Sequence, residues 1–191
     1  ADNILAGKGA IASKNSVAMR MPLYPYFLSW CKSVSPDTPS YILLVRFLQA
    51  GLNAMLVFVL FMLAKYLLGP GYGFLAMALF ALNPMHVVMP SFLLTEIVYT
   101  FFLTVFVWAT VFYLDKKNWI YFVISALALI GGIYVRESMF HIIVVYCSFA
   151  LLMRLLRGSR AFFLTLLVIG MLALCPWVLR NFERLHAFVL F

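Results

Sequence analysis

The amino-acid sequence predicts an all-α, polytopic helical integral membrane protein with about six transmembrane helices and an N-terminal interfacial exoplasmic segment. Of the 191 residues, 66% are hydrophobic and only 10% are charged, whereas a soluble domain is about 45–50% apolar and about 25% charged. The few charges also divide the chain into long uncharged runs. So little polar surface cannot cover a globule in water, which excludes an ordinary soluble domain and a disordered chain.

Six runs without Asp, Glu, Lys or Arg approach or exceed the length of a bilayer span, which is about 17–25 helical residues. They cover residues 47–64, 66–95, 97–114, 118–135, 138–153 and 161–179. The second run is longer than one span because it contains the turn-forming residues Gly69, Pro70, Asn83 and Pro84. The runs predict a transmembrane helical domain over residues 41–191, with a short tail at its C-terminal end.

The basic residues of the connections predict the orientation. Six of them follow the first, third and fifth runs: Lys65, Lys116, Lys117, Arg154, Arg157 and Arg160. The connections after the second and fourth runs contain only Arg136 with the acidic Glu96 and Glu137. Because cytoplasmic loops are enriched in Lys and Arg, we expect the first set to be cytoplasmic and the N-terminal segment and C-terminal tail to be exoplasmic. Since these cations lie between apolar runs, the net charge of +8 does not indicate a nucleic-acid partner.

The first 40 residues have a mixed composition and are predicted to form an exoplasmic interfacial loop. Aromatic residues concentrate there around Pro22 and Pro25, namely Tyr24, Tyr26, Phe27 and Trp30. Tyr and Trp are enriched where hydrocarbon meets the headgroups. We therefore expect this loop to lie at the interface of the lipid bilayer.

Charged residues near the predicted exoplasmic surface are the candidates for function. They are Arg20, Glu96, Arg136 with Glu137, and Arg180 with Glu183. Ionisable residues at membrane depth are expensive and usually functional. Guanidinium groups bind phosphate, and a carboxylate can act as a general base or hold a divalent cation. We therefore expect Arg20, Glu96 and Arg136 to line one cavity for an amphiphilic phosphorylated ligand, with Tyr24 and Pro22 at its rim.

Each candidate also has a purely structural explanation. Glu96 could stabilise a helix N-terminus, where the macrodipole favours negative charge. Arg136 and Glu137 could form a loop ion pair. Arg46 and Arg180 could be snorkelling residues at the interface. The three histidines do not have the spacing of a histidine-built metal site.

Short motifs follow one another along almost the whole chain. They are Ala-Asp-Asn-Ile-Leu-Ala-Gly-Lys-Gly at 1–9, Arg-Met-Pro-Leu-Tyr-Pro-Tyr-Phe-Leu at 20–28, Leu-Leu-Thr-Glu at 93–96, Gly-Ile-Tyr-Val-Arg-Glu at 132–137 and Pro-Trp-Val-Leu-Arg-Asn at 176–181. In this order and spacing they resemble the GT-C membrane glycosyltransferases. The most similar branch comprises the bacterial relatives of protein O-mannosyltransferase and the aminoarabinose transferase, of the glycosyltransferase family 39 type.

The resemblance implies a transferase that takes a sugar from a polyprenyl-phosphate donor on the exoplasmic side of the plasma membrane, the inner membrane in bacteria. In this family an acidic residue of the first exoplasmic loop and another near the start of a later helix serve catalysis, often with a divalent metal ion. Glu96 matches the second position. Arg20 and Arg136 match cations that meet the donor phosphate, and Tyr24 lies in the same segment as Arg20.

The sequence departs from the family pattern at its start. The family's first catalytic carboxylate lies upstream of the motif at 1–9, so Asp2 is not assigned that role, and we expect the chain to be the middle of a longer enzyme. Two other classes stay open: a polyprenyl-lipid-binding or lipid-translocating protein without chemistry, and a structural part of a complex with other membrane subunits. An acidic residue upstream would distinguish the enzyme, because only the enzyme requires it.

Overall fold

The computed structural model describes residues 2–7, 21–152 and 160–185, and these residues are helical with short connections and no strand. The helices are α1 (Asp2–Leu5), α2 (Leu23–Val34), α3 (Thr38–Leu68), α4 (Pro70–Ala81), α5 (Pro84–Val88) with a 3-10 turn at Met89–Ser91, α6 (Glu96–Lys116), α7 (Trp119–Val135), α8 (Ser138–Leu152) and α9 (Arg160–Leu185). The predicted all-α class is confirmed.

The predicted count of six transmembrane helices is not confirmed. Within the described residues, three helical segments are long and apolar enough to cross a membrane: Thr38–Leu68, Glu96–Lys116 and Arg160–Glu183. A fourth candidate is the pair Pro70–Ala81 and Pro84–Ser91, which is bent by 60°. Helices α7 and α8 have 17 and 15 residues. At 1.5 Å per residue, the described parts of these helices rise roughly 26 and 23 Å, which is shorter than the hydrocarbon layer of about 30 Å.

The chain divides into two compact units, Trp30–Ser125 and Ala1–Ser29 with Ala126–Phe191. We call the first the α3–α6 unit, which also contains the last five residues of α2 and the first seven of α7, and the second the α7–α9 unit. Each has its own apolar interior, which includes Leu56 and Phe106 in the first and Ile133 and Leu166 in the second. This division follows packing and does not test the predicted boundary at residue 40.

Helices α3 and α6 run in the same direction through the α3–α6 unit. A little before the middle of α3, Gln49 donates a hydrogen bond from Nε2 to the carbonyl oxygen of Leu94, which lies just before α6, at 2.9 Å. Near their last residues, the Tyr66 hydroxyl donates to the Asp115 carboxylate. Helix α4 returns against α3, because Gly73 lies directly over Lys65 and Phe61. The chain between α3 and α6 therefore goes back along α3 before α6 begins.

The helical segment that runs back along α3 is interrupted after Ala81, the last residue of α4. Asn83 caps the next helix, since its Oδ1 accepts a hydrogen bond from the Met85 amide at 3.0 Å. Pro84 follows in the first turn of α5, where its missing N–H costs nothing. The long second run of the sequence is thus a broken helix whose turn residues fall at the break.

The beginning of α3 is fixed by its own capping residue. The Asp37 carboxylate accepts a hydrogen bond from the Ser40 amide at 3.0 Å, in the geometry typical of a helix N-cap. Hydrogen bonds from Ser40, first from its side chain and then from its amide, hold the pKa of the Asp37 carboxyl below its usual range. Helix α3 therefore begins about ten residues before the uncharged run that predicted it.

The other end of the α3–α6 unit carries lysines packed on aromatic rings. The Lys116 Nζ lies 4.9 Å from the centroid of the Phe112 ring and 5.9 Å from those of Tyr66 and Tyr121. Lys65 lies over Phe61 in the same way. Cations are attracted to aromatic faces at these distances. The lysines that predicted a common side of the membrane therefore lie at one end of this unit, and Glu96 lies at the other.

In the α7–α9 unit, α9 runs parallel to α7 and antiparallel to α8. The Tyr134 hydroxyl donates to the Ala173 carbonyl at 2.6 Å, and the Cys147 thiol donates to the Phe163 carbonyl at 3.1 Å. The C-terminal part of α9 therefore lies at the end of the unit where α7 connects to α8. That connection contains Arg136.

Candidate active site

Glu96 is the first residue of α6, as the motif Leu-Leu-Thr-Glu predicts. The preceding Thr95 occupies the N-cap position but makes no capping hydrogen bond through its side chain. Its hydroxyl lies 3.5 Å from Oε2 of Glu96. Glu96 is partly exposed and lies in the first helical turn, where the macrodipole favours negative charge. A partly exposed carboxylate in a helix's first turn can serve as a proton acceptor.

The length of α6 places Glu96 at one end of a candidate membrane span. The helix has 21 residues, which rise about 31 Å and match the hydrocarbon thickness of about 30 Å. Glu96 begins it and Lys116 ends it. Both charges are thus kept away from the middle of the span, where a charge is most costly.

Three polar residues on one face of α3 hold the segment that leads to Glu96. Arg46, Gln49 and Asn53 follow the spacing of three and four residues that brings helical side chains together. Their side chains donate hydrogen bonds to carbonyl oxygens of this segment, at 2.9 Å to Ser91, 2.9 Å to Leu94 and 3.1 Å to His86. We call these three residues the α3 polar row.

Sequence reasoning treated Arg46 as a snorkelling residue and did not single out Gln49 or Asn53. The structure gives the Arg46 guanidinium a backbone acceptor within its own unit. The signal that could have revealed the row is helical spacing: Gln49 and Asn53 lie within the apolar first run, and Arg46 lies immediately before it. The carbonyl oxygens that accept these hydrogen bonds could not have been identified from the spacing, because α4 separates them from α3 along the chain.

Arg136 lies in the short connection between α7 and α8, and its side chain is exposed. The turn is held by the backbone, with the Arg136 amide 2.9 Å from the Gly132 carbonyl oxygen and the Met139 amide 3.2 Å from the Arg136 carbonyl oxygen. An exposed guanidinium on a backbone-fixed turn is well placed to meet an anion.

The motif Pro-Trp-Val-Leu-Arg-Asn lies at the same end of the α7–α9 unit. The Arg180 guanidinium carbon lies 4.5 Å from the centroid of the Trp177 ring, and Nη1 donates to Oδ1 of Asn181 at 2.9 Å. Asn181 is fully buried. Arg180 therefore contacts two residues of its own helix, through a cation–π contact and a hydrogen bond, and its snorkelling role stays a prediction.

Tyr24 of α2, which we expected at the rim of the cavity, has a buried side chain. It is 4% exposed, whereas Tyr26 and Trp30 of the same helix are 52% and 56% exposed. The Tyr24 ring lies 6.0 Å from that of Phe27. Tyr24 belongs to the same unit as Arg136, and its role at the rim stays a prediction.

The common cavity of Arg20, Glu96 and Arg136 also stays a prediction. Arg20 lies outside the described residues. Glu96 belongs to the α3–α6 unit, and Arg136 belongs to the α7–α9 unit. The structure therefore supplies the local setting of two of the three residues.

The expected divalent metal ion has no ligand set among the residues described. Three or more His, Cys, Asp and Glu side chains do not come together anywhere in 2–7, 21–152 and 160–185. Glu96 alone does not make a metal site, because a resident divalent ion usually takes several oxygen or nitrogen ligands. We therefore assign no residue as a metal ligand and derive no step through a metal.

Residues 17–179 match the family described as dolichyl-phosphate-mannose-protein mannosyltransferase. No curated protein and no solved structure matches the chain. The matched range covers most of the sequence and includes Arg20, Glu96 and Arg136. The chain therefore belongs to the dolichyl-phosphate-mannose-protein mannosyltransferase family of GT-C-type membrane glycosyltransferases.

Proposed function

We propose that this protein transfers a sugar from a polyprenyl-phosphate donor to an acceptor hydroxyl at the exoplasmic surface of the plasma membrane. The observation that carries the proposal is the position of Glu96, which opens a membrane-length helix in a chain of this glycosyltransferase family. Apolar helices supply the surroundings that a polyprenyl chain needs. The end of a span is also where a lipid-linked phosphate and a water-soluble acceptor can meet.

Glu96 acts as the general base in this proposal. Its carboxylate takes the proton of the acceptor hydroxyl, and the hydroxyl oxygen attacks the anomeric carbon of the sugar. The bond between that carbon and the phosphate oxygen breaks, and the polyprenyl phosphate leaves with the bonding electrons. The attack inverts the anomeric centre. The base must come within about 2.6–3.2 Å of the acceptor oxygen, and the partial exposure of Glu96 supports this role.

Arg136 and Arg20 bind the donor phosphate in this proposal. The phosphate gains negative charge as the sugar leaves, and guanidinium groups stabilise that charge through short charge-assisted hydrogen bonds. The exposure of Arg136 supports this role. Tyr24 of α2, which belongs to the same unit as Arg136, is proposed to contribute to the phosphate site. The predicted exoplasmic side is supported by the lysines gathered at the end of the α3–α6 unit opposite Glu96.

Transfer can be tested with the protein in membranes and a polyprenyl-phosphate donor carrying a labelled sugar. We expect the label to leave the lipid fraction with time and to appear in an acceptor. Donor that binds but stays intact, with every acceptor preparation, would overturn the proposal and identify a lipid-binding protein. Absence of both binding and transfer would overturn it as well, in favour of a structural subunit.

Replacing Arg136 with glutamine is expected to raise the KM for the donor about 10- to 100-fold. This corresponds to the loss of one hydrogen bond to a charged group, worth about 1.5–3 kcal/mol. Arg136→Lys should recover part of the affinity because it keeps the charge and loses the fork geometry. Lys117→Gln, which removes a cation at the C-cap of α6, serves as the control. An unchanged donor KM in Arg136→Gln would remove Arg136 from the phosphate site.

A further inference from the structure

We propose that Gln49 is a positioning residue that, with Arg46 and Asn53, fixes the segment before α6 and thereby sets the location of Glu96. The inference rests on the proposed function, because it assigns a role relative to the proposed base. The α3 polar row belongs to the α3–α6 unit, as do Glu96 and the segment between α5 and α6.

The segment before α6 needs partners from outside itself. Residues 92–95 are not helical. The Thr95 carbonyl accepts from the Tyr99 amide of α6 at 2.9 Å, but the residues before it do not belong to a continuous helix that would satisfy all their backbone groups. A carbonyl without a partner in an apolar setting costs several kcal/mol, and irregular backbone inside a membrane protein persists only where other groups satisfy it. The α3 polar row supplies donors at Ser91 and Leu94.

Gln49 is the member of the row that acts closest to Glu96. Its side chain is fully buried, and its Nε2 reaches the carbonyl oxygen of Leu94, two residues before Glu96. A buried amide that donates to backbone has little freedom to move, because leaving its site would break the hydrogen bond in an apolar place. This contact ties the start of α6 to the middle of the 31-residue helix α3.

The two outer members of the row extend the attachment. Arg46 reaches Ser91 from the exposed surface, and Asn53 reaches His86 in α5. The segment is thus held at residues 86, 91 and 94, all from one face of one helix. Losing the Gln49 contact releases the two residues that precede Glu96, while the Arg46 and Asn53 contacts still hold the rest of the segment against α3.

A shift of Glu96 would mainly affect the chemical step. A mutation far from the reacting atoms that shifts a catalytic group by about 1 Å can reduce the rate about 100-fold, because the reacting groups are no longer aligned. Gln49→Met keeps the length of the side chain and removes the donor. We expect it to lower kcat about 10- to 100-fold while the donor KM stays within about twofold.

The test measures transfer in membranes for the wild type, Gln49→Met, and Asn53→Leu as a second variant that removes a more distant contact. Each kcat is divided by the number of donor-binding sites, so that a loss of folded protein does not register as a loss of rate. Thr165→Val is the control, since the Thr165 hydroxyl donates only within its own helix, to Ala161 at 2.8 Å.

A double variant shows whether Gln49 acts through Glu96. In the Glu96→Gln background, Gln49→Met should cause no further loss of rate, because the base whose position it sets is already gone. A full additional loss in that background, or a site-normalised kcat of wild-type value in Gln49→Met, would overturn the inference. If Gln49→Met does not fold, a wild-type kcat in Asn53→Leu would overturn it.

Failure of the inference can be told from failure of the proposed function. If Glu96→Gln transfers sugar at the wild-type rate, Glu96 is not the base. The proposed positioning of that base by Gln49 is then wrong as well. If Glu96→Gln is inactive and Gln49→Met is fully active, the proposed function stands and the positioning role alone is wrong.

Discussion

Replacing Glu96 with glutamine is expected to reduce the rate of sugar transfer by about 10²–10⁴-fold, which is the usual contribution of a general base. Glutamine has nearly the same size and keeps an oxygen near the Thr95 hydroxyl. It cannot take a proton from the acceptor. The donor should still bind with near wild-type affinity, because the proposed phosphate contacts come from arginine side chains. Initial rates with labelled donor and a separate donor-binding assay measure the two effects.

Glu183→Gln provides the matched control for that experiment. Glu183 is an exposed carboxylate near the end of α9. It is one of the candidates from the sequence, but the proposed function gives it no role, so the same chemical change is made at a residue other than the proposed base. We expect transfer by Glu183→Gln to equal that of the wild type. Full activity of Glu96→Gln would contradict the assignment of the base, and equal losses in both variants would indicate a general effect of lost negative charge.

The helical character and the start of α6 could be predicted because both depend on local signals. Uncharged runs between ionisable residues must be helical in a bilayer, where backbone groups have no water to bind. Glu96 follows the turn at 92–95 and opens an apolar run, so the helix has one natural beginning. The capped start of α3 was missed because Asp37 and Ser40 precede the run that was used to define it.

The number of spans and the α3 polar row could not be predicted because they depend on length and on distant contacts. The fourth and fifth runs have 18 and 16 residues in the sequence, close to the limit for a span. Asn53 and His86 are 33 residues apart, and Gln49 and Leu94 are 45 apart. A helical face of polar residues indicates that partners exist, but only the folded return of α4 and α5 identifies them.

Replacing Gly73 with alanine is expected to lower the free energy of unfolding by about 1–3 kcal/mol, the usual cost of overpacking. A Cβ atom at Gly73 would lie 2.9 Å from Cβ of Lys65 and 3.1 Å from the backbone oxygen of Phe61. Neither atom is the flexible end of a side chain, so α4 must move away from α3. Small residues permit such close approach of membrane helices, and a larger side chain at residue 73 loses that packing.

Gly71→Ala is the matched control, because a Cβ at that residue of α4 meets no atom within 4 Å. Unfolding of the purified protein in micelles, followed by circular dichroism against increasing denaturant, gives the free energies of both variants. We expect Gly73→Ala to unfold at lower denaturant and Gly71→Ala to match or exceed the wild type, since alanine has the higher helix propensity. Equal stability of all three proteins would contradict the close packing of α4 on α3 and, with it, the path by which the chain returns to place Glu96.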